Sequence, residues 1–289
     1  MKNYNNYILE IYKHYLSDTC NAISEEEYLE IFEKCCIGVN IEDDAPIYRY
    51  IENINDDFTL VDPRKVTRVS ANTKNYYTLL IDNDPIWEKY PKRKHGIVSS
   101  LHNSYFGNDF RVIPLTKYDD ILKKYNIKPF SEPKWGVCPT TDIWMSIDKS
   151  IKIMISELSI KDDILMTSDD LNYSLSNIAT NFDENLSQND FNELKDQLIY
   201  ISNEYYKLSD DEITLLDLSK FDKIILDFMK KRNMNLFEVF QFIYDPEING
   251  FEINTYNELI LKVEQHEIWT DTPVLYLMTL YGRNYWIYS

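Results

Sequence analysis

The chain has 289 residues, 44% of them hydrophobic, and its 48 acidic against 30 basic residues give a formal net charge of -18. This length allows one large domain or two small ones with a sizeable core, and the charge excludes the basic footprint that nonspecific nucleic-acid binding requires. The apolar runs are too short for a signal peptide or a membrane span, so we expect a cytoplasmic protein that does not enter membranes.

The sequence contains no motif that is typical of a metal site or of a disulfide framework. The four cysteines, Cys20, Cys35, Cys36 and Cys138, have neither the spacing of a zinc site nor the number of a disulfide framework. The phosphate-loop, dinucleotide-binding, metalloprotease and nucleophile-elbow motifs are also absent from the sequence. We therefore expect reduced thiols and no metal.

The first 45 residues are predicted to form a helical preface. Apolar residues recur at helical spacing over residues 4–18 and again over residues 24–36. Ser24 and Glu27 have the spacing of a capping box for the second of these helices.

A short strand with an arginine inside it follows this preface. The segment Ile47-Tyr48-Arg49-Tyr50-Ile51 alternates as a strand does, directly after Pro46. A guanidinium inside an apolar strand is costly unless an anion pairs with it. Arg49 is therefore either half of a structural ion pair or a binding group for an anionic ligand.

Positive charge is concentrated in residues 67–115. This stretch includes three arginines and the basic run of residues 92–95, which indicates an anionic ligand in an acidic protein but is also typical of a solvated loop. A helix is predicted over residues 70–83, before Asp84-Pro85. Strands are predicted at Gly96-Ile97-Val98, which ends in Ser99 and Ser100, and at residues 108–115.

The second half of the chain is helical and then returns to strands. A helix is predicted over residues 117–127, and apolar spacing predicts helices over residues 151–158, 191–206, 221–229 and 236–243. Short β-type runs follow at residues 264–269, 273–277 and 284–288. Because these last runs are too short to bury themselves, we expect them to pair with the strands of residues 46–115.

Three short motifs lie along the chain in a fixed order. They are Arg49 in Ile47-Tyr48-Arg49, Ser100 after Ile97-Val98-Ser99, and Gln265-His266-Glu267 before Ile268-Trp269. They resemble the arginine, serine and (Gln/Glu)-x-Glu motifs of the mono-ADP-ribosyltransferases related to clostridial and cholera-type toxins. The YPKR and VSS elements of the central stretch are also similar to transferase-like proteins of phages and large DNA viruses, whose site of action would be the host cytoplasm.

The resemblance implies an α+β fold with an ADP-ribosyltransferase-like mixed split β-sheet. Residues 1–289 would then form a single domain. Its parts would be a helical preface (1–45), the first half of the core (46–141), a helical insertion (142–245) and the last strands with the Gln-x-Glu turn (246–289). The family's Ser-Thr-Ser element is reduced here to Ser100-Leu101-His102, so Ser99 is the other candidate for the motif serine.

The resemblance also implies NAD as the substrate and a role for each motif residue. Cleavage of the nicotinamide–ribose bond builds oxocarbenium character on the ribose, which a fixed carboxylate stabilises. Glu267 would supply that carboxylate, Ser100 would hold it with the ribose, Gln265 would orient the acceptor, and Arg49 would bind the pyrophosphate. Further contacts to the cofactor are expected from Arg68, Ser99, Tyr77, Tyr105 and Phe106.

The geometry implied by these roles is specific. Glu267 and Ser100 should lie on adjacent strands with their side chains within reach of each other, and Arg49 should face the same cleft. Each residue also has a structural explanation: a rim charge for Glu267, an ordinary strand end for Ser99 and Ser100, and plain core for the aromatic side chains.

Three functions remain open from the sequence. The first is transfer of ADP-ribose to a macromolecular acceptor, either protein or nucleic acid. The second is hydrolysis of NAD at the same site, with water as the acceptor. The third is non-catalytic binding of a basic target through the acidic block of residues 157–212.

Overall fold

The computed structural model describes residues 20–40, 47–50, 56–65, 76–101, 109–141, 143–160, 187–216, 218–262, 264 and 266–279. The chain divides into a sheet unit, Met1–Ala71 with Lys89–Thr141 and Glu252–Ser289, and a helical unit, Asn72–Glu88 with Asp142–Phe251. The helical unit therefore takes in residues 72–88, which the sequence groups with the first half of the core, together with all of the predicted insertion and residues 246–251.

One antiparallel sheet organises the sheet unit. Its strands, within the described residues, are β1 (Cys20–Ala22), β2 (Tyr48–Tyr50), β3 (Phe58–Val61), β4 (Ile97–Ser100), β5 (Asp109–Pro114), β6 (Trp135–Val137), β7 (Glu252–Asn254), β8 (Glu267–Thr270) and β9 (Val274–Thr279). They lie in the order β1-β3-β9-β5-β2-β4-β8-β6-β7.

The predicted α+β class is confirmed, but among the described strands the sheet is antiparallel and not mixed. Every pairing between the described strands is antiparallel. Parallel neighbours require a crossover that returns the chain in the same direction. Here strands that are close in sequence, such as β4 and β5, lie on opposite sides of a third strand, β2, and both run antiparallel to it.

The described helices belong mostly to the helical unit. The sheet unit contributes α1 (Glu25–Cys35) and α9 (Tyr256–Leu259). The helical unit contributes α2 (Tyr76–Asn83), α3 (Asp148–Glu157), α4 (Gln188–Lys207), α5 (Asp210–Thr214), α6 (Lys220–Arg232), α7 (Leu236–Ile243) and α8 (Pro246–Asn249). The four helices predicted between residues 151 and 243 are therefore confirmed. The predicted helix of residues 4–18 and the predicted strand of residues 284–288 lie outside the described residues.

The residues at the helix ends explain the outcome of two helix predictions. The capping box is confirmed, because Ser24 Oγ accepts from the Glu27 amide at 3.2 Å while Glu27 Oε2 accepts from the Ser24 amide at 2.9 Å. The α-helix predicted over residues 117–127 is instead a short 3-10 helix, Asp120–Tyr125. Asn126 ends it after two turns by adopting a left-handed conformation with φ of 56°.

Aromatic contacts hold the centre of the helical unit together. Its most apolar helix, α7, contacts α4 through Phe237 and Phe191, whose ring centroids lie 5.7 Å apart. The same helix contacts α6 through Phe242 and Phe228, whose centroids lie 5.0 Å apart. Because α7 has apolar residues around most of its circumference, it is buried between its neighbours rather than lying on a surface.

The two faces of the sheet have different side chains. Partners across an antiparallel ladder point to the same face, and successive residues alternate. One face, here called the Phe110 face, holds an apolar cluster that includes Phe110, Ile97 and Ile268. The opposite face, here called the Glu267 face, is covered at the β3-β9-β5 end by Tyr28 and Ile31 of α1 and presents polar residues at the β2-β4-β8 end.

Candidate functional site

The three strands that bear the predicted motifs are consecutive neighbours in the sheet. β2, with Arg49, pairs with β4, with Ser100, and β4 pairs with β8, which begins at Glu267. The register places Tyr48 opposite Ser100 and Ser100 opposite Glu267. Motifs that are far apart in sequence are thus brought to one end of three adjacent strands.

Ser100 and Glu267 are direct cross-strand partners. Residues in this relation have Cβ atoms about 4.5–5.5 Å apart on the same face of the sheet, so both side chains lie on the Glu267 face. This agrees with the expectation that they lie on adjacent strands within reach of each other. The Glu267 side chain is 14% exposed, which is more enclosed than a solvated rim charge.

The register also separates the two candidate serines. Ser99 precedes Ser100 and therefore points to the Phe110 face, where it is 5% exposed. Its hydroxyl has no hydrogen-bond partner within the described residues. The serine that faces Glu267 is Ser100.

Arg49 differs from the expectation that it faces the same cleft as Glu267. It follows Tyr48, so alternation directs its side chain to the Phe110 face, the face that also holds Phe110, its partner on β5. Its guanidinium Nη1 donates to the Val98 carbonyl of β4 at 2.5 Å. In the described residues, β2 and β4 share one pair, Tyr48–Ser100. If this pairing continued, the Val98 carbonyl would accept from the backbone of β2. It accepts from the Arg49 guanidinium instead.

A second arginine, which the sequence does not single out, binds Glu267. Arg93 Nη2 lies 2.5 Å from Glu267 Oε1, and Arg93 is only 2% exposed. The basic run of residues 92–95 is therefore not a simple solvated loop. A buried guanidinium requires an anionic partner, and Glu267 supplies one from 174 residues later in the chain.

Two aromatic side chains lie next to each other on the Arg93 side of this ion pair. Arg93 lies over the ring of Trp269, with its Cζ atom 5.6 Å from the ring centroid, and Tyr90 stacks on the same indole at 6.4 Å. Trp269 is on the Glu267 face because it lies two residues after Glu267. The indole Nε1 donates to the Pro91 carbonyl at 2.9 Å, which fixes the ring against the loop that leads to Arg93.

The backbone of Glu267 is held from both sides. On the side of β6, its amide donates to the Thr140 carbonyl at 3.2 Å and its carbonyl accepts from the Cys138 amide at 2.9 Å. On the side of β4, the Leu101 amide donates to the carbonyl of His266 at 3.3 Å. A site whose backbone is bonded in this way loses little freedom when a ligand binds.

Gly136 is the position on which the packing of Trp269 depends. The two residues are cross-strand partners, and a Cβ on Gly136 would lie 2.3 Å from the indole. We expect Gly136→Ala to lower the free energy of unfolding by about 1–3 kcal/mol, the usual cost of overpacking a core. Urea unfolding measures this as a lower midpoint at constant slope.

Gly38→Asn is the matched control for that substitution. A Cβ at Gly38 meets nothing within 4 Å, and asparagine tolerates the positive φ of this position better than other side chains do. Some strain remains at a φ of +80°, so we expect the unfolding midpoint to fall, but by less than for Gly136→Ala. An unchanged midpoint for Gly136→Ala would show that Trp269 is free to move.

The positions of several predicted site residues relative to the Arg93–Glu267 ion pair are not described. Gln265, Arg68, Tyr105 and Phe106 lie outside the described residues, and Tyr77 is described only as the second residue of α2, without its side chain. Their roles remain predictions from the resemblance.

The described residues show no metal cluster, and comparisons with known proteins give no family. In this part of the chain no group of three or more His, Cys, Asp or Glu side chains is arranged to hold a metal ion. None of the described helices is long and apolar enough to cross a membrane. Comparison with protein-family models, with curated proteins and with solved structures finds no significant match.

Proposed function

We propose that the sheet unit binds NAD and transfers its ADP-ribose group to a macromolecular acceptor, with Glu267 as the catalytic carboxylate. The observation that supports this most directly is the direct opposition of Ser100 and Glu267 on neighbouring strands, next to the strand that bears Arg49. The serine and glutamate motifs thus share one face of the sheet, whereas Arg49 lies on the neighbouring strand with its side chain on the opposite face.

The reaction breaks one bond and forms one. The bond between ribose C1′ and the nicotinamide nitrogen breaks, and its electron pair goes to the ring, which leaves as neutral nicotinamide. A nucleophilic atom of the acceptor forms the new bond to C1′ and loses its proton to solvent. Positive charge develops on the ribose between these events, and a fixed carboxylate next to it stabilises that charge.

The ion pair with Arg93 is compatible with this role. Arg93 binds Oε1 of Glu267, whereas a carboxylate has about four acceptor positions. The bond to Arg93 by itself therefore does not prevent Glu267 from accepting from a ribose hydroxyl. Ser100 lies directly across the ladder, and in this proposal it bonds the same hydroxyl or the carboxylate.

Labelled NAD tests the proposal. The purified protein is incubated with a cell lysate and NAD labelled on the adenylate phosphate, and in parallel with NAD labelled in the nicotinamide ring. Transfer predicts free labelled nicotinamide together with phosphate label on material that protease or nuclease degrades. The Glu267→Gln protein, prepared in the same way, controls for enzymes that co-purify.

Two other outcomes would overturn the proposal in different ways. Free ADP-ribose with no label on macromolecules would show that water is the acceptor and that the site is a glycohydrolase. No release of nicotinamide above the Glu267→Gln control would show that the chain does not cleave NAD, and would favour the acidic binding protein.

A further inference from the structure

Arg93 is buried, so the free-energy cost of removing its charge from water must be offset within the protein. A guanidinium is charged at every physiological pH, and removing that charge from water is unfavourable unless an anion compensates it. The structure provides that anion in Glu267, at 2.5 Å. The pair joins the loop before β4 to the first residue of β8, so it fixes one side chain of the candidate site directly.

Arg93 is also held against an aromatic ring. Trp269 provides a flat apolar surface 5.6 Å from the guanidinium carbon, and the indole is tied by its nitrogen to the Pro91 carbonyl. The planar fork of an arginine lies well on such a ring, whereas the ammonium of a lysine does not have this shape. The direction in which Nη2 presents its hydrogen to Glu267 is therefore set by β8 itself.

The loop that bears Arg93 is also closed tightly. The Gly96 amide donates to the Arg93 carbonyl at 3.1 Å, and a Cβ at Gly96 would lie 2.8 Å from the Lys92 carbonyl, so the turn needs glycine. The Lys92 amide donates to Asp271 Oδ2 at 3.0 Å. The bonds of Pro91 to Trp269 and of Lys92 to Asp271 thus hold the loop just before Arg93, and the Gly96 bond closes it just after.

We infer that Arg93 is a positioning residue for the reaction, one that holds the Glu267 carboxylate in the orientation in which it stabilises the ribose cation. This inference rests on the proposed function. A glutamate side chain has three rotatable bonds, and preorganised charge is what makes an electrostatic contact effective in the transition state. Arg93 therefore acts through Glu267 and needs no contact with NAD.

A double-mutant cycle with Glu267→Gln tests this directly. We expect Arg93→Met to lower kcat for nicotinamide release by about 10-fold to 100-fold, the range found when a residue that orients a functional group is removed. KM for NAD should change by less than about 3-fold, because ground-state binding is not affected. In the Glu267→Gln background, Arg93→Met should change kcat by less than about 3-fold, since there is no carboxylate left to orient.

Arg93→Lys and Arg64→Met complete the design. Arg93→Lys keeps a buried cation beside Glu267, so it should fold even if Arg93→Met does not. Its kcat should lie between those of the unaltered protein and Arg93→Met. Arg64 pairs with the buried Asp62 elsewhere in the sheet unit. Arg64→Met should therefore lower stability and leave kcat unchanged.

Equal losses of kcat in the two backgrounds would overturn the inference, because they would show that Arg93 supports the fold or binds NAD independently of Glu267. If the unaltered protein releases no nicotinamide, the proposed function fails, and crystal structures of the unaltered protein and of Arg93→Lys decide the positioning role alone. A Glu267 carboxylate that moves by about 1 Å or more would support it. A carboxylate that stays in place would overturn it.

Discussion

Replacing Glu267 with glutamine is expected to lower the rate of nicotinamide release from NAD by about 10²–10³, the usual cost of removing one preorganised electrostatic contact. Glutamine keeps the length of the side chain and one acceptor oxygen for Arg93, but it removes the negative charge that stabilises the ribose cation and that also compensates Arg93. The rate is therefore compared at a temperature at which urea unfolding shows that the variant is folded. Ground-state binding should stay within about a factor of three, which corresponds to less than 1 kcal/mol. Single-turnover kinetics and calorimetry with NAD measure the two quantities separately.

Glu264→Gln is the matched control for this substitution. Glu264 is three residues earlier, its side chain is 80% exposed, and its carboxylate lies 3.7 Å from the His266 ring nitrogen Nε2. The same chemical change there should alter neither rate nor affinity. Full activity in Glu267→Gln, or a larger loss in Glu264→Gln, would show that the catalytic glutamate has been assigned to the wrong residue.

Strands with a local apolar pattern could be predicted from the sequence, and strands that depend on distant partners could not. Ile97-Val98 and Val274-Leu275-Tyr276 appear in the sequence as buried runs, and they form β4 and β9. β6 follows a proline-rich connection and has glycine at its centre, both signs of a loop. It is a strand because β7 and β8 pair with its two edges, and such long-range pairing leaves no local pattern.

The site could be predicted in part for a similar reason. The order of the motifs indicated that Ser100 and Glu267 would meet, and the register places them opposite each other. The sequence did not separate Ser99 from Ser100, because the face of a strand residue depends on which neighbour it pairs with. The basic run of residues 92–95 did not separate Arg93 from its charged neighbours, since the burial of Arg93 depends on Glu267 and Trp269 from the far end of the chain.

Arg49 shows how a correct strand assignment can still leave the direction of a side chain open. Its strand lies next to that of Ser100, yet alternation directs Arg49 to the Phe110 face. The long side chain then reaches the Val98 carbonyl where pairing between β2 and β4 ends. Binding of the pyrophosphate of NAD by Arg49 therefore stays a prediction of the resemblance, and substitution of Arg49 tests it.

Removing this guanidinium is expected to weaken NAD binding by about 10-fold to 150-fold, which corresponds to roughly 1.5–3 kcal/mol for a hydrogen bond to a charged group. Arg49→Met is the variant to measure, by calorimetry with NAD. Arg49→Lys should lie between it and the unaltered protein, because an ammonium keeps the charge but not the fork that bonds a carbonyl and a phosphate together. Arg64→Met, which removes an arginine from the same unit far from β4, should leave the affinity unchanged. If Arg49→Met folds and binds NAD as tightly as the unaltered protein, then Arg49 only joins two strands, and the pyrophosphate must be bound by another residue.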